Sequence, residues 1–192
     1  MDKISFIYKS ILAGILIALA GVIYLNCENK IIGSMLFSIG LIAVILLQAN
    51  LYTGKIGYVV DNTVKLKDCL IILFINLLSA FIVGIIYKYC VGTSQAIVSR
   101  YDKSYSRLLL DGVLCGALIY IAVEGYKVTK NILVVILAVM AFILSGSEHC
   151  IADAFYYGCS DFDVKGLLVL LFVIIGNSFG SILVRQLQIS IH

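Results

Sequence analysis

The chain has 192 residues, of which 62% are hydrophobic and 13% are charged, and its mean hydropathy is +1.09. These values lie far outside the range of soluble domains, so the composition predicts a protein that resides in a lipid bilayer. A spanning helix needs roughly 20 apolar residues, so six spans would use nearly all the hydrophobic residues. Nucleotide-binding, nucleic-acid-binding and conventional hydrolase modules are excluded for lack of space, and the net charge of +3 does not describe a basic patch.

Six apolar runs are long enough to cover a hydrocarbon core of ~30 Å as helices. They lie at about residues 4–26, 31–54, 67–87, 106–126, 131–147 and 165–185. We therefore predict an all-α membrane protein whose single transmembrane domain covers residues 1–192, with both termini on one side. A cleaved signal peptide is the alternative interpretation of the first run, but the run is long and no small-residue cleavage site follows it.

Charged residues and cysteines indicate which segments share a side of the membrane. With the amino terminus inside, eight Lys and Arg residues fall in inner segments and six in outer ones. The positive-inside rule therefore favours cytoplasmic termini. Cys27, Cys90 and Cys159 all follow odd-numbered spans, so a disulfide between two of them is one option. The cysteine and histidine spacing does not predict a metal site.

The two halves of the sequence resemble each other. The repeats cover about residues 4–90 and 104–190. The segment around Gly14 matches the segment around Gly116, and Asn76 matches Asn177, each followed by small residues that allow close helix contact. Because each repeat holds three spans, the second copy must enter the membrane from the opposite side, which predicts an inverted repeat.

Spans two and five are interrupted near their ends, at Leu51–Gly54 and Gly146–Cys150. In inverted-repeat folds, broken helices of this kind face a site near the midplane of the membrane. We therefore predict that each long apolar half is followed by a short second half, ending near Val60 and Tyr157. The alternative is that each interruption is only the end of a loop.

Glu148 and His149 are the ionisable residues at the break of span five, within an otherwise uncharged stretch. Ionisable residues inside a membrane are expensive and usually functional. Burial disfavours the imidazolium ion, so we predict a neutral His149 that could still give a proton to a passing anion. Thr53 occupies the break of span two, where its hydroxyl could donate to an anion or to His149. The structural alternative is a histidine that binds a freed backbone carbonyl.

Several groups near these breaks favour negative charge. Half-helix amino termini beginning near Gly54 and Ile151 would add partial positive charge. Arg100, Lys103 and Arg107 precede span four on the outer side and would draw anions into a vestibule. The alternative is that these three residues are ordinary solvated cations at the membrane interface.

Five segments carry a resemblance to a known family. They are Leu12–Gly14, Leu51–Gly54, Gly112–Cys115, Gly146–Ala152 and Gly176–Gly180. Through them the sequence resembles the formate/nitrite transporter family over nearly its whole length, and the Glu-His-x-Ile-Ala segment that starts at Glu148 is the most specific. The resemblance implies an aquaporin-like fold of six spans and a homopentamer with one pore in each protomer. It also implies conduction of small monovalent anions, often together with a proton.

The resemblance also implies roles for individual residues. His149 corresponds to the family's central pore histidine and Thr53 to its partner, while Arg100 or Lys103 corresponds to the vestibule lysine. The inner hydrophobic constriction is assigned to Phe37, Leu41 and Ile119, and the outer one to Leu51, Tyr52 and Phe142. Asn76 and Asn177 match the small-residue motifs of spans three and six. The sequence departs from the family at Gly116, Asn50 and Lys55, where Asn, Glu and Asn are usual.

We predict a channel or proton-coupled transporter for small monovalent anions or their conjugate acids, such as formate, nitrite or hydrosulfide, in the cell membrane. Its partners would be protons, the lipid bilayer and further copies of the chain, without a cofactor or nucleic acid. His149 or water in the vestibule would supply the proton. An enzyme is not expected, because no nucleophile with a base, no metal-ligand set and no paired carboxylates are apparent.

Two further functions stay open at this point. A channel for neutral solutes such as water or glycerol is disfavoured, because such channels use Asn-Pro-Ala at both half-helix starts and this chain has no proline. A non-transporting membrane scaffold or assembly subunit would have the same composition and the same spans.

Overall fold

A computed structural model describes residues 3–191 of the chain, which form seven α-helices and two short 3-10 helices, η1 and η2, without a strand. In chain order they are α1 (Lys3–Leu25), α2 (Lys30–Leu46), η1 (Ile56–Val59), α3 (Leu66–Cys90), η2 (Val98–Arg100), α4 (Tyr105–Thr129), α5 (Ile132–Leu144), α6 (Cys150–Gly158) and α7 (Val164–Ser190). The prediction of an all-α protein is confirmed.

The predicted breaks in spans two and five are confirmed. Helices α2 and α5 are apolar but have 17 and 13 residues, and after each the chain runs without helix before it resumes as η1 or α6. The second halves end at Val59 and Gly158, each one residue from the predicted end. Within residues 3–191, four helices are long and apolar enough to cross a membrane, namely α1, α3, α4 and α7. The count of six spans therefore stays a prediction.

The two broken helices end in the same way. Gln48 after α2 and Gly146 after α5 have positive φ angles of 52° and 72°. The next peptide nitrogens, those of Ala49 and Ser147, donate to carbonyls five residues back at 2.9 and 3.0 Å. A left-handed residue with this hydrogen bond is the Schellman ending of a helix. Both breaks are thus built by local backbone geometry, at positions 98 residues apart.

The repeats interlock through their broken helices. In repeat one, α1 packs on α2 and α3, and in repeat two, α4 packs on α5 and α7. The second halves cross over, because η1 packs against α7 and α6 packs against α3. Each broken helix therefore starts in its own repeat and finishes against the other, as an aquaporin-like inverted repeat requires.

Glycines bring the backbones of α4 and α7 into contact. A Cβ atom added at Gly116 would overlap the carbonyl oxygen of Asn177, and one added at Gly180 would overlap that of Val113. No side chain fits at position 116 in this packing. The close approach of α7 therefore accounts for Gly116, where the resemblance leads us to expect Asn.

The outside of the bundle is covered by large apolar side chains. Phe74, Leu137 and Phe179 are exposed, as are many other hydrophobic residues on α1, α2, α3, α5 and α7. A soluble monomer rarely exposes so much contiguous apolar surface, whereas lipid accommodates it. Together with the long apolar helices, this surface is that of a multi-pass membrane protein.

No disulfide joins any two of Cys27, Cys90 and Cys159 in the described residues. All six cysteines lie within the described residues and all are free. Of the three that the spacing brought into consideration, Cys159 is buried, Cys27 is half-buried and Cys90 is exposed.

Candidate functional site

The two breaks meet at one buried pair of side chains. Thr53 Oγ1 lies 2.9 Å from His149 Nε2, and the two residues are 0% and 3% exposed. His149 is also the residue that caps α6, where its Nδ1 accepts a hydrogen bond from the Ala152 N–H at 3.2 Å. The ring is therefore held from both of its nitrogens, across the boundary between the repeats.

These contacts fix the position of the ring proton. Because His149 Nδ1 accepts from a backbone N–H, the single hydrogen of the neutral ring is on Nε2 and is donated to Thr53 Oγ1. The hydroxyl hydrogen of Thr53 is then free to turn towards another acceptor. The carbonyl of Thr53 accepts from Ser181 Oγ on α7 at 3.2 Å, which holds the threonine backbone.

Asn76 satisfies the backbone groups that the first break leaves free. Its Oδ1 accepts from the N–H of Tyr52 at 2.9 Å. Its Nδ2 donates to the carbonyls of Ser10 and Asn50 at 2.6 and 3.0 Å. One buried amide therefore binds α1 and both sides of the break, as freed backbone groups inside a membrane require.

Asn177 repeats this arrangement at the second break. Its Oδ1 accepts from the N–H of Cys150 at 3.0 Å, and its Nδ2 donates to the carbonyls of Gly112 and Glu148, both at 2.9 Å. The resemblance assigned both asparagines to small-residue motifs. In the structure they are the supports of the two breaks.

The asparagine contacts also set the register between the repeats. Because Tyr52 and Cys150 bind corresponding asparagines, Leu51 corresponds to His149, and Thr53 lies two residues further along. The two corresponding side chains face different cavities. His149 lines one cavity and Leu51 lines the other.

The cavities lie at opposite ends of the bundle. The first, called here the Arg100 cavity, has a volume of about 300 Å³, and Lys103, just before α4, lines it. The second, called the Lys55 cavity, has a volume of about 590 Å³ and is lined by the end of α4 from Val123 to Lys130. Because α4 has 25 residues, these two groups are roughly 30 Å apart along its axis.

Two of the residues assigned to constrictions lie on the opposite side from the one expected. Phe37, assigned to the inner constriction, contacts Phe142 edge to face at 6.0 Å between ring centroids, and both line the Arg100 cavity with His149. Leu51, assigned to the outer constriction, lines the Lys55 cavity. The reason is geometric: Phe37 lies in the first half of α2, and Leu51 is the inverted counterpart of His149.

Three further residues assigned to the constrictions are buried but line neither cavity, namely Leu41, Tyr52 and Ile119. Leu41 lies one helical turn after Phe37 on α2, at a level between the two cavities. Ile119 is buried on α4. The phenol oxygen of Tyr52 is 2.7 Å from Ser178 Oγ, so this ring packs against α7.

The cations expected to form an outer vestibule are paired with carboxylates. Glu148 accepts from Arg100 Nε and from Lys103 Nζ, both at 2.7 Å. Asp153 Oδ1 lies 3.1 Å from Arg100 Nε. Asp111 lies 2.8 Å from both Lys103 and Arg107. Three cations therefore face three nearly buried carboxylates, and the expected excess of positive charge is absent from this group.

The ion pairs also change the pKa values of Arg100 and Lys103. Burial lowers the pKa of Arg100, but the Asp153 and Glu148 carboxylates outweigh it and raise the pKa above its usual range. Burial likewise lowers the pKa of Lys103, and its hydrogen bonds to Asp111 and Glu148 raise it overall. Both residues are fixed positive charges.

Sequence reasoning missed Asp111 and Asp153. Both are 0% exposed, and Asp153 Oδ2 has no hydrogen-bond partner within the described part of the chain. The available signal was helical spacing: Asp111 lies four residues after Arg107, and Asp153 four residues after His149. Contrary to expectation, Glu148 and Asp153 form a carboxylate pair, which shares Arg100.

The predicted helix amino terminus near Gly54 does not form as expected. The chain after Thr53 makes a turn and then the four-residue helix η1, which is too short to present a helix dipole. The second terminus is present, because α6 has nine residues and begins directly after His149.

Known proteins resemble this chain in sequence and in fold. The sequence model described as Formate/nitrite transporter matches residues 1–189. The chain belongs to the formate/nitrite transporter family. Two solved structures share its fold: an FNT family ion channel, with a TM-score of 0.81 and 20% identity over 98% of this chain and 88% of that one, and a pentameric formate channel with formate bound, with a TM-score of 0.79 and 22% identity over 99% and 98%.

This chain matches only part of the length of its curated relatives. The formate channel FocA of Haemophilus influenzae is 24% identical over 179 residues, and FocA of Escherichia coli K12 is 24% identical over 180, each covering 77% of this chain. The uncharacterized transporter YrhG of Bacillus subtilis is 25% identical over 149 residues, or 66% of this chain. The chain spans 63% of the length of the two FocA proteins and 56% of YrhG.

Proposed function

We propose that this protein conducts small monovalent anions, such as formate, nitrite or hydrosulfide, across the cell membrane as their conjugate acids. The observation that carries the proposal is the buried His149–Thr53 pair, held between two cavities in a fold shared with a formate-bound channel. Membership of a transporter family supports transport over catalysis. We also propose that the chain assembles as a homopentamer of six-span protomers with cytoplasmic termini, as the excess of basic residues on that side favours.

The pair has a defined chemical task in this proposal. An anion in the dry centre of a membrane costs several kcal/mol, and protonation removes most of that cost. Thr53 presents its O–H to the anion, because its oxygen already accepts the His149 Nε2–H. A neutral ring that released this proton with Nδ1 still capped would become an anion. The proton of the conjugate acid therefore comes from water in the Arg100 cavity, and the hydroxide that remains is neutralised by a proton from the bulk solution. His149 orients the Thr53 hydroxyl.

A flux assay with purified protein in liposomes tests the function. Formate, nitrite, lactate, acetate and hydrosulfide are compared at several pH values, with dye and isotope readouts. We expect formate and nitrite to enter faster than in empty liposomes, and faster as the external pH falls. Protein that conducts none of these anions would favour a non-transporting scaffold.

Variants of the pair test the mechanism. His149→Phe and Thr53→Val should each lower formate uptake by at least about tenfold, because the hydroxyl is no longer oriented or no longer present. Thr53→Ser should keep most of the uptake. His149→Asn separates chemistry from folding, since Asn also caps helices but leaves Thr53 without its donor. Normal uptake by His149→Asn, with normal assembly, would contradict the role of the ring.

A further inference from the structure

The Lys55 cavity differs in charge from the Arg100 cavity, where Lys30, Arg100 and Lys103 are accompanied by the carboxylates of Glu148 and Asp153. Lys55, Lys127 and Lys130 line it, and its lining includes no carboxylate within the described part of the chain. Lys127 is partly neutralised, because its Nζ lies 3.5 Å from Glu124 and also contacts the phenol of Tyr58. The cavity therefore has an excess of positive charge. It lies at the opposite end of the bundle from Arg100 and Lys103, which were expected to attract anions.

Lys55 is an unbalanced charge near the transport site along the chain. It follows Thr53 by two residues, and neighbouring Leu51 and Gly54 line the same cavity. The residue is half-buried, and its ammonium group has no hydrogen bond or ion pair within residues 3–191. The charges that act on it include Lys127 and Lys9, which carry the same sign.

Such an ammonium group calls for a counterion. Partial burial removes some of its hydration, and the Val44, Ile45, Leu51 and Val123 side chains that line the same cavity cannot form hydrogen bonds with it. A soluble anion that enters this cavity would recover part of that cost. The volume of about 590 Å³ leaves room for a small anion together with several waters.

We infer that Lys55 forms an anion-binding site at the second mouth of the pathway, which takes small monovalent oxyanions such as formate or nitrite. The site rests on the proposed function for its role in transport, although binding itself does not depend on transport. Lys55 is a binding residue that collects anions beside Leu51, whereas Arg100 and Lys103 in the other cavity are paired with carboxylates.

The potential in the cavity can be measured without transport. Val123→Cys places a thiol against Gly54 in the Lys55 cavity, in protein whose half-buried and exposed cysteines are replaced by Cys27→Ser and Cys90→Ser. Rates of labelling are compared for an anionic and a cationic methanethiosulfonate reagent. The ratio of the two rates cancels differences in thiol reactivity. Formate is then added, with gluconate as the control at equal ionic strength.

We expect the ratio of anionic to cationic labelling to fall at least about fivefold in Lys55→Met and to stay high in Lys55→Arg. Formate should slow the anionic reagent only when position 55 is basic. Lys67→Met is the matched control, because Lys67 is exposed at the start of α3 and does not line the cavity. Because the Lys55 side chain has no hydrogen bond or ion pair within residues 3–191, all variants should elute like the parent protein.

A sided flux assay completes the test. In oriented membrane vesicles, Lys55→Met should raise the KM for formate entering from the Lys55 side at least about threefold, with less effect from the other side. A labelling ratio unchanged by Lys55→Met, or no protection by formate, overturns the site. Protection by formate in protein that carries no anion would instead support the site and overturn the proposed transport function.

Discussion

Glu148 binds two of the three cations of this cluster, Arg100 and Lys103, and each of the two also contacts a second carboxylate. Arg100 lies against Asp153, and Lys103 against Asp111. A buried charge left without a partner costs far more than a balanced pair contributes. Single substitutions in this cluster should therefore differ according to what they leave unpaired.

Arg100→Gln is expected to destabilise the protein by about 3–5 kcal/mol, because the Asp153 carboxylate is left without a cation. Glu148→Gln should cost only about 1 kcal/mol, since both cations keep a carboxylate. Melting temperatures of the purified protein in detergent measure the difference. The exposed Lys165→Gln is the control and should change stability little. Equal losses for Arg100→Gln and Glu148→Gln would contradict this account of the charges.

The broken helices depend on the two asparagines more than on their own length. Each Schellman ending stops a helix, but it leaves peptide groups within the break that need partners in the membrane. Asn76 and Asn177 each supply two hydrogen bonds to such groups, and each supplies a third to a carbonyl of a neighbouring helix. The position of His149 beside Thr53 therefore depends on side chains of α3 and α7 that touch neither residue.

Asn177→Leu should prevent assembly or lower stability by at least about 3 kcal/mol, because the Glu148 carbonyl and the Cys150 N–H within the break are left unpaired. Asn76→Leu should cause a similar loss, as the repeat implies. Asn26→Leu serves as the control, because the Asn26 amide forms its bonds at the surface. Size-exclusion elution and thermal melting report the outcome. A stable Asn177→Leu protein would show that the amide is not the support of the break.

Crossing of the half-helices restricts motion of the whole molecule. Because η1 packs on α7 and α6 on α3, neither repeat can rotate as a rigid body without leaving part of a broken helix behind. The Ser181 hydroxyl reinforces this arrangement by bonding to the carbonyls of both Thr53 and Gly116. Transport by rocking of one repeat against the other is therefore disfavoured.

The expected kinetics are those of a channel. Labelled formate should enter liposomes at the same initial rate whether or not unlabelled formate is present inside, because no carrier has to return. A rocking carrier would instead be accelerated by internal formate. Acceleration of about twofold or more by internal formate would contradict a fixed pathway.

Sequence reasoning predicted the helical fold, the two breaks and the residues that meet between them, because hydropathy and the Glu148–His149 segment are local signals. The side of Phe37 differs from the one assigned because Phe37 lies in the first half of α2, whereas the correspondence of Leu51 with His149 depends on the register between the repeats. Matching glycines and asparagines are 102 and 101 residues apart, whereas corresponding break residues are 98 apart. Loop lengths change the offset within the repeat, and only contacts across the bundle reveal it.

His149 and Leu51 occupy matching positions in the two repeats, but one side chain is an imidazole and the other is an isobutyl group. The two ends of the molecule therefore differ chemically. In the proposed pathway, a solute from one end passes the paired charges of Arg100 and Lys103 and two phenyl rings before the histidine, whereas one from the other end passes lysine and then leucine. Entry and exit are thus chemically distinct events. The two ends of this duplicated architecture are therefore not equivalent.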